Sequence, residues 1–192
     1  MSLVDVKELN LFPVDVLRIV TDLDNEAITE YTLAHRDKWD LYTTYHDQKL
    51  NKDWQLGLPD RARLESALID AAHEFVKRTG RRKFDERPFL YYWCSVYDEG
   101  DQHGSHNHPN SLIAGTYYPS VGARSSSIIL EAPWKSHIMH DSAPLGIFAY
   151  RPQPGDMLLW PSWLDHRVPV QGKSDTRRVA ISFNLDYNKY HD

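Results

Sequence analysis

Three histidines in two separate stretches of the chain have the residue type and spacing that bind a transition metal. His106 and His108 are one residue apart in GDQHGSHNHPNSLIAGTYY, and His166 follows a strand-like segment in PGDMLLWPSWLDHRV. Residues i and i+2 of an extended strand project from the same face, so both imidazoles of the pair can reach one point. We therefore predict that His106, His108 and His166 bind a metal, whereas His103 belongs to a loop.

Three neutral imidazoles would leave a divalent ion with its full charge and with open coordination positions. Such a donor set suits Fe(II), Mn(II) or Zn(II), and imidazole alone does not choose among them. Zinc-dependent hydrolysis is therefore compatible with these ligands. The choice depends on what else the site binds.

The segment TRRVAISFNLDY near the end of the sequence combines a core face with a polar face. Alternation along a strand separates the two faces. The apolar face is expected to pack in the core and carries Val179, Ile181 and Phe183. The opposite face carries an arginine, two small residues and an amide: Arg178, Ala180, Ser182 and Asn184. A guanidinium binds a carboxylate through two parallel hydrogen bonds, so we predict that Arg178 binds a carboxylate-bearing ligand.

The elements that position these residues change in character at Gly80. Before it, the sequence predicts one helix that begins near Asp24 and runs through Asp37. A second helix begins near Pro59 and ends before Gly80, with apolar residues recurring at intervals of three and four. Residues 38–58, between the helices, are predicted to form a loop.

After Gly80, short runs of aromatic and β-branched residues alternate with Pro, Gly, Asp and Ser. Strands are predicted at about 89–98, 111–119, 126–131, 146–151, 156–160, 166–170 and 177–186. Helices followed by strands, without alternation, predict an α+β fold: a double-stranded β-helix (jelly roll) with the N-terminal helices packed on one sheet. We expect a single domain over residues 1–192, with a mainly helical part at 1–80 and a jelly-roll core at 81–192.

Composition narrows the class of protein. The chain has 192 residues, 41% hydrophobic and 26% charged, which is typical of one globular domain. Its net charge of −5 and the lack of a basic run argue against nucleic acid or an anionic membrane as partner. No apolar stretch approaches the ~20 residues of a membrane span. With Cys94 as the only cysteine, we expect a cytoplasmic protein without internal disulfides, of unknown oligomeric state.

The segment from about 89 to 186 resembles the 2-oxoglutarate- and Fe(II)-dependent oxygenases, a jelly-roll superfamily, and in particular a prolyl-hydroxylase-like branch. The resemblance is carried by the H-x-H-P-N-S run, the G-x-Y-Y strand, the distal histidine and the arginine of the last strand. It implies that His106 and His166 bind Fe(II). It also implies that Arg178 and Tyr118 bind the far carboxylate of the co-substrate 2-oxoglutarate.

His108 departs from the pattern of this superfamily, which usually has Asp or Glu at that position. Either three histidines hold the metal, or a carboxylate from Asp101 or Glu99 completes the set. The activity implied is that of a dioxygenase which hydroxylates a small molecule or a protein side chain, with succinate and CO₂ as co-products. No catalytic residue beyond the metal centre is implied.

Two other functions fit parts of the pattern. Gly100 followed after five residues by His106-x-His108 is similar to the first motif of the cupins, and a three-histidine cupin would oxidise a small molecule without Arg178 or 2-oxoglutarate. A non-catalytic jelly-roll binding module would not require the three histidines to lie close together. In any of these readings, the predicted loops at 38–58 and 132–145 are long enough to cover a pocket.

Overall fold

Two antiparallel sheets form the framework of the computed structural model, which describes residues 14–81, 83–84, 87–133 and 146–187. The strands are β1 (Leu17–Val20), β2 (Phe89–Tyr97), β3 (His103–His106), β4 (Ile113–Ser120), β5 (Ile128–Glu131), β6 (Ile147–Tyr150), β7 (Asp156–Pro161), β8 (His166–Val168) and β9 (Arg178–Asp186). The larger sheet has the order β1-β7-β4-β9-β2, and the smaller sheet has the order β3-β8-β5-β6.

Three α-helices precede the second strand: α1 (Asn25–His35), α2 (Gln48–Gly57) and α3 (Arg61–Arg78). Helix α1 begins where the Asp24 carboxylate accepts a hydrogen bond from the backbone N–H of Ala27 at 3.0 Å. Helix α3 is followed by Gly80, whose φ of +66° lies in the left-handed region that favours glycine. No helix in the described ranges is long and apolar enough to cross a membrane.

The larger sheet is covered on both faces. The helices pack on one face, where α3 contacts β7 and β9, α2 contacts β2 and α1 contacts β4. A second apolar cluster fills the space between the two sheets, with Tyr118 and Trp160 from the larger sheet and Ile128 and Val168 from the smaller. This arrangement confirms the predicted α+β jelly roll with N-terminal helices packed on one sheet.

The predicted loop at 38–58 is wrong over its second half, which forms helix α2. The Asp47 carboxylate caps this helix by accepting from the backbone N–H of Leu50. The side-chain amides of Asn51 and Gln55 point at the sheet, where both donate to the carbonyl of Tyr92. Polar residues therefore occupy part of the buried face and mask the apolar periodicity that would have revealed the helix.

Strands β1 and β3 were not predicted either. Strand β1 lies in the segment expected to be mainly helical and pairs with the edge of β7. Strand β3 includes His103, which pairs with Val168, so the prediction that His103 lies in a loop is wrong. Its sequence has no β-branched residue, and pairing with β8 overrides the weak local propensity. The predicted loop at 132–145 lies outside the described residues from position 134 onward.

Candidate metal centre

Three imidazoles converge at the cavity between the two sheets. His106 ends β3 and His166 begins β8, and the two residues are paired across these antiparallel strands. His108 follows β3 after one intervening residue. One ligand nitrogen from each histidine lies within 4.8 Å of the others. Among the described residues, these three histidines form the one cluster of potential metal ligands (His, Cys, Asp or Glu) that is close enough together to hold an ion.

The reason for this convergence differs from the prediction. His106 and His108 do not share a strand face, because β3 ends at His106. His108 is instead fixed by its backbone N–H, which donates to the carbonyl of Ser162 at 2.9 Å. Its ring packs against that of Trp93, with 5.8 Å between the centroids. The chain therefore brings the second imidazole to the site through a bend anchored on the β7–β8 connection.

Backbone carbonyls fix the protonation pattern of two of the rings. Nδ1 of His106 lies 2.8 Å from the carbonyl oxygen of Gly104, and Nδ1 of His166 lies 3.0 Å from that of Leu164. A carbonyl can only accept, so each Nδ1 carries the proton and each Nε2 keeps its lone pair. Metal-binding histidines have this arrangement, with the second nitrogen donating to an oxygen.

Burial keeps the imidazoles of His108 and His166 neutral. Burial, together with a smaller effect from the charge of a protonated His106, lowers the pKa of His166 to about 3 and that of His108 to about 4. Burial similarly lowers the pKa of His103 to about 4. A metal binds only an unprotonated ring nitrogen. Because the imidazoles of His108 and His166 are neutral at neutral pH, they can bind a cation there without releasing a proton to solvent.

The alternative carboxylates are not part of this group. The carboxylate of Asp101 accepts a hydrogen bond from the backbone N–H of Asp98 at 2.8 Å and closes a tight turn. Neither Asp101 nor Glu99 belongs to the cluster of potential ligands, which consists of histidines only. Among the described residues, the geometry therefore brings together the three histidines without a carboxylate.

Arg178 lines the same cavity and is 1% exposed. Its Nη1 donates to the carbonyl of Ser126 at 3.0 Å, and its guanidinium lies 5.1 Å from the ring centroid of Tyr97 and 5.3 Å from that of Tyr118. Its Nε has no hydrogen-bond partner, and no ion pair among the described residues involves it. A buried cation without a counter-charge is costly, so the cavity is suited to an anion.

Further hydrogen-bond donors without partners line the cavity beside Arg178. The hydroxyl of Tyr118 and the indole Nε1 of Trp160 are buried and make no hydrogen bond within the described part of the chain. Burial raises the pKa of Tyr118, an effect that the positive charge of Arg178 opposes, so the phenol stays protonated and can donate. Such unsatisfied buried donors are rare in native proteins and indicate a ligand or solvent in the cavity.

The faces of β9 divide as the alternation predicts. Arg178, Ala180 and Ser182 line the cavity, while the opposite face is packed against the helices and carries Val179, Ile181, Phe183 and Leu185.

Two residues near the three converging imidazoles were not assigned a role from the sequence. The ring of His103 stacks on that of His106 at 4.2 Å, and Nδ2 of Asn184 lies 3.3 Å from Nδ1 of His108. The alternation that selected Arg178 also places Asn184 on the ligand face, which was the available signal.

A jelly roll in which three imidazoles converge between the sheets has the geometry of a candidate mononuclear metal site. Residues 91–184 match the sequence model of the family described as "Putative 2OG-Fe(II) oxygenase". This match supports the 2-oxoglutarate- and Fe(II)-dependent oxygenase superfamily that the resemblance predicted. No curated protein matches the sequence.

Solved structures share the fold at low sequence identity. A prolyl-4-hydroxylase from Pseudomonas putida has a TM-score of 0.56 at 11% identity, over 92% of this chain and 94% of the other. The viral collagen prolyl hydroxylase of Paramecium Bursaria Chlorella virus-1 gives 0.55 at 11% identity, over 94% and 98%. The non-heme alpha ketoglutarate dependent carbocyclase SnoK from nogalamycin biosynthesis gives 0.60 at 13% identity, over 90% and 80%.

Proposed function

We propose that this protein is a Fe(II)- and 2-oxoglutarate-dependent dioxygenase whose metal ligands are His106, His108 and His166. One observation carries the proposal: a cavity lined by the three converging imidazoles is also lined by the buried cation of Arg178, which forms no ion pair with any described residue. Neutral imidazoles leave the double charge of the metal intact, and a dicarboxylate would place one negative charge at the metal and the other at the guanidinium. The match of residues 91–184 to the oxygenase family model supports this assignment.

We assign the far carboxylate of 2-oxoglutarate to Arg178 and Tyr118. Each offers a buried donor without a partner in the described part of the chain, namely Nε of the guanidinium and the phenol hydroxyl. Hydrogen bonds between a donor and a charged group contribute about 1.5–3 kcal/mol each. Ala180, on the same strand face as Arg178, has a small side chain and also lines the cavity.

Bound iron would supply the redox centre at which O₂ converts 2-oxoglutarate to succinate and CO₂ and one oxygen atom is transferred to the substrate. The residues of the chain would bind the metal, orient the co-substrate and exclude water. The carbonyls of Gly104 and Leu164 hold two imidazoles with Nε2 unprotonated. Arg178 and Tyr118 orient the co-substrate, while Trp160, 1% exposed, forms an apolar wall of the cavity.

The proposed reaction is hydroxylation of a small molecule or of a protein side chain. The similar structures carry the names of prolyl hydroxylases and of a carbocyclase, so this fold hosts more than one reaction. The alternative of a three-histidine cupin enzyme gives no role to Arg178. The burial of this cation against Tyr118, with no counter-charge among the described residues, favours the oxygenase.

Anaerobic reconstitution with Fe(II), followed by addition of 2-oxoglutarate, tests the proposal. The wild-type protein should develop a weak visible charge-transfer band. Arg178→Met should keep its iron but lose most of the band at the same co-substrate concentration, because the hydrophobic side chain fills the space without binding a carboxylate. Arg177→Met is the matched control, since Arg177 pairs with Asp98 at the surface.

Three outcomes would count against parts of this assignment. Absence of iron binding by the wild-type protein would refute it entirely. A band unaffected by Arg178→Met would favour the cupin alternative. Full iron stoichiometry and activity in His108→Ala would refute the role of His108 as a ligand.

A further inference from the structure

We propose that Asn184 positions His108 and changes from hydrogen-bond donor to acceptor when a metal ion binds the histidines. This inference rests on the proposed function, because it takes His108 as a metal ligand. It adds a residue that determines whether the unusual third imidazole presents a lone pair to the metal.

The side-chain amide of Asn184 is only half satisfied. Its Nδ2 lies 3.3 Å from Nδ1 of His108, while its Oδ1 is buried and has no partner within the described residues. An amide has two donors on nitrogen and an acceptor on oxygen. A buried acceptor left unpaired costs about 1–3 kcal/mol, so this oxygen requires an explanation.

One arrangement of protons satisfies all the ring nitrogens around this contact. The carbonyl of Leu164 takes the proton on Nδ1 of His166, so Nε2 of His166 can only accept. Nε2 of His108 lies 3.2 Å away, and this contact therefore requires a proton on Nε2 of His108. Nδ1 of His108 then accepts from the amide nitrogen of Asn184. In this arrangement Oδ1 of Asn184 stays unpaired.

Metal binding requires the other arrangement. A metal on Nε2 of His108 needs the lone pair there, so the single proton of the neutral ring must move to Nδ1. It would then face the amide nitrogen of Asn184, which is also a donor. A half-turn of the amide exchanges nitrogen and oxygen, and Oδ1 accepts the new N–H. The His108 ring keeps the same number of protons, and Oδ1 of Asn184 obtains a hydrogen-bond donor.

The half-turn involves the side chain of Asn184 and leaves its backbone in place. Asn184 lies within β9, where it is paired with Ala114 of β4 on one side and Tyr91 of β2 on the other. The ring of Trp93 packs against that of His108. Because the backbone of Asn184 is held by strands on both sides, the rotation of its amide is confined to the side chain.

Zinc provides a diamagnetic probe for nitrogen-15 NMR of the histidine rings of the full chain. The resonances of His108 are assigned by their loss in His108→Gln. In the wild-type protein at neutral pH, the ring proton should be on Nε2 without zinc and on Nδ1 with zinc. In Asn184→Asp the carboxylate only accepts, so the proton should be on Nδ1 in both conditions, with zinc bound at least as tightly as by the wild type.

Asn184→Leu removes both the donor and the acceptor, and zinc affinity should fall about 10- to 100-fold, the usual effect of losing a partner of a metal-binding histidine. Asn25→Ala is the control, because it removes another side-chain amide contact, to the Tyr117 hydroxyl, far from the histidines. It should leave zinc affinity unchanged, and Asn184→Asp should restore what Asn184→Leu loses.

The inference is overturned if the wild-type His108 tautomer is the same with and without zinc, or if Asn184→Leu binds zinc as tightly as the wild type. These results are distinguishable from failure of the proposed function. A tautomer change without any 2-oxoglutarate band would support the role of Asn184 and refute the oxygenase assignment. A band without the tautomer change would do the reverse.

Discussion

The two faces of strand β9 share one backbone and one hydrogen-bond ladder, yet they differ in almost every other respect. The helix-side face is apolar and at most 1% exposed, and it carries Val179, Ile181, Phe183 and Leu185. The cavity-side face carries Arg178 and Asn184, each with a buried polar atom that has no partner among the described residues. The comparison separates a face that stabilises the fold from a face that, under the proposed function, binds a ligand at some cost in stability.

The difference also indicates where the protein tolerates change. Apolar packing on the helix side depends on shape, and loss of a ring there leaves a void. On the cavity side, unpaired polar groups contribute little to stability until a ligand supplies their partners. Substitutions on the two sides should therefore affect different measurements, and four predictions follow from that expectation.

His166→Ala should have the largest effect on the cavity side. Removing one of three imidazoles should weaken metal binding by at least about 100-fold, because the remaining pair leaves most of the coordination to water. Equilibrium dialysis with Fe(II) or Zn(II) measures this loss. His73→Ala is the control, since His73 is exposed on α3 and packs edge-on against Phe84. Unchanged metal binding in His166→Ala would contradict the proposed ligand set.

Phe183→Ala should have the largest effect on the helix side. Phe183 is fully buried, and truncation of such a ring costs about 3–5 kcal/mol. Urea denaturation followed by circular dichroism measures the change in the free energy of unfolding. The molecules that remain folded should bind metal with wild-type affinity. A large loss of metal affinity in folded Phe183→Ala would show that the two faces are not separable.

Arg178→Met should sharpen the comparison by uncoupling binding from stability. The affinity for 2-oxoglutarate should fall by about 100-fold, equivalent to about 3 kcal/mol. The free energy of unfolding should stay the same or rise, because a well-packed apolar side chain replaces a buried cation that lacks a counter-charge in the described structure. Calorimetric titration and urea denaturation give the two values. A marked loss of stability would assign Arg178 to the fold.

Acid should destabilise the cavity side of the metal-free protein. The pKa of His108 is lowered to about 4 and that of His166 to about 3, from 6.5. Between these values and 6.5 the unfolded chain binds more protons, so the free energy of unfolding falls as the pH drops from about 6.5 to 4. His166→Gln should reduce this slope by up to about 1.4 kcal/mol per pH unit. An unchanged slope would show that burial does not disfavour the His166 imidazolium.

The sequence predicted those parts of the fold and site that depend on strict periodicity. Alternation along β9 separated Arg178 from Phe183, and the spacing of apolar residues located α3. Helix α2 was missed because Asn51 and Gln55 make their contacts with the sheet through polar side-chain amides. A hydropathy pattern does not identify such residues as part of a buried helix face. Strand β3 was missed because pairing with β8, rather than its own residues, makes it a strand.

The geometry of the site also depends on contacts between distant segments of the chain, which the sequence does not reveal. The histidine pair was found from its spacing, but the proposed cause, a shared strand face, was wrong because the chain bends before His108. The contact of Asn184 with His108 joins residues 76 positions apart, which no local pattern reveals. Residue types therefore located the candidate chemistry, and tertiary contacts determined its geometry.

Diffraction from crystals grown anaerobically with Fe(II) and 2-oxoglutarate would test the central claim most directly, with the iron located by its anomalous signal. We expect a single iron peak bound to Nε2 of His106, His108 and His166, with one carboxylate of the co-substrate on Arg178 and Tyr118. An iron peak held by other residues, or a co-substrate with no contact to Arg178, would contradict the account.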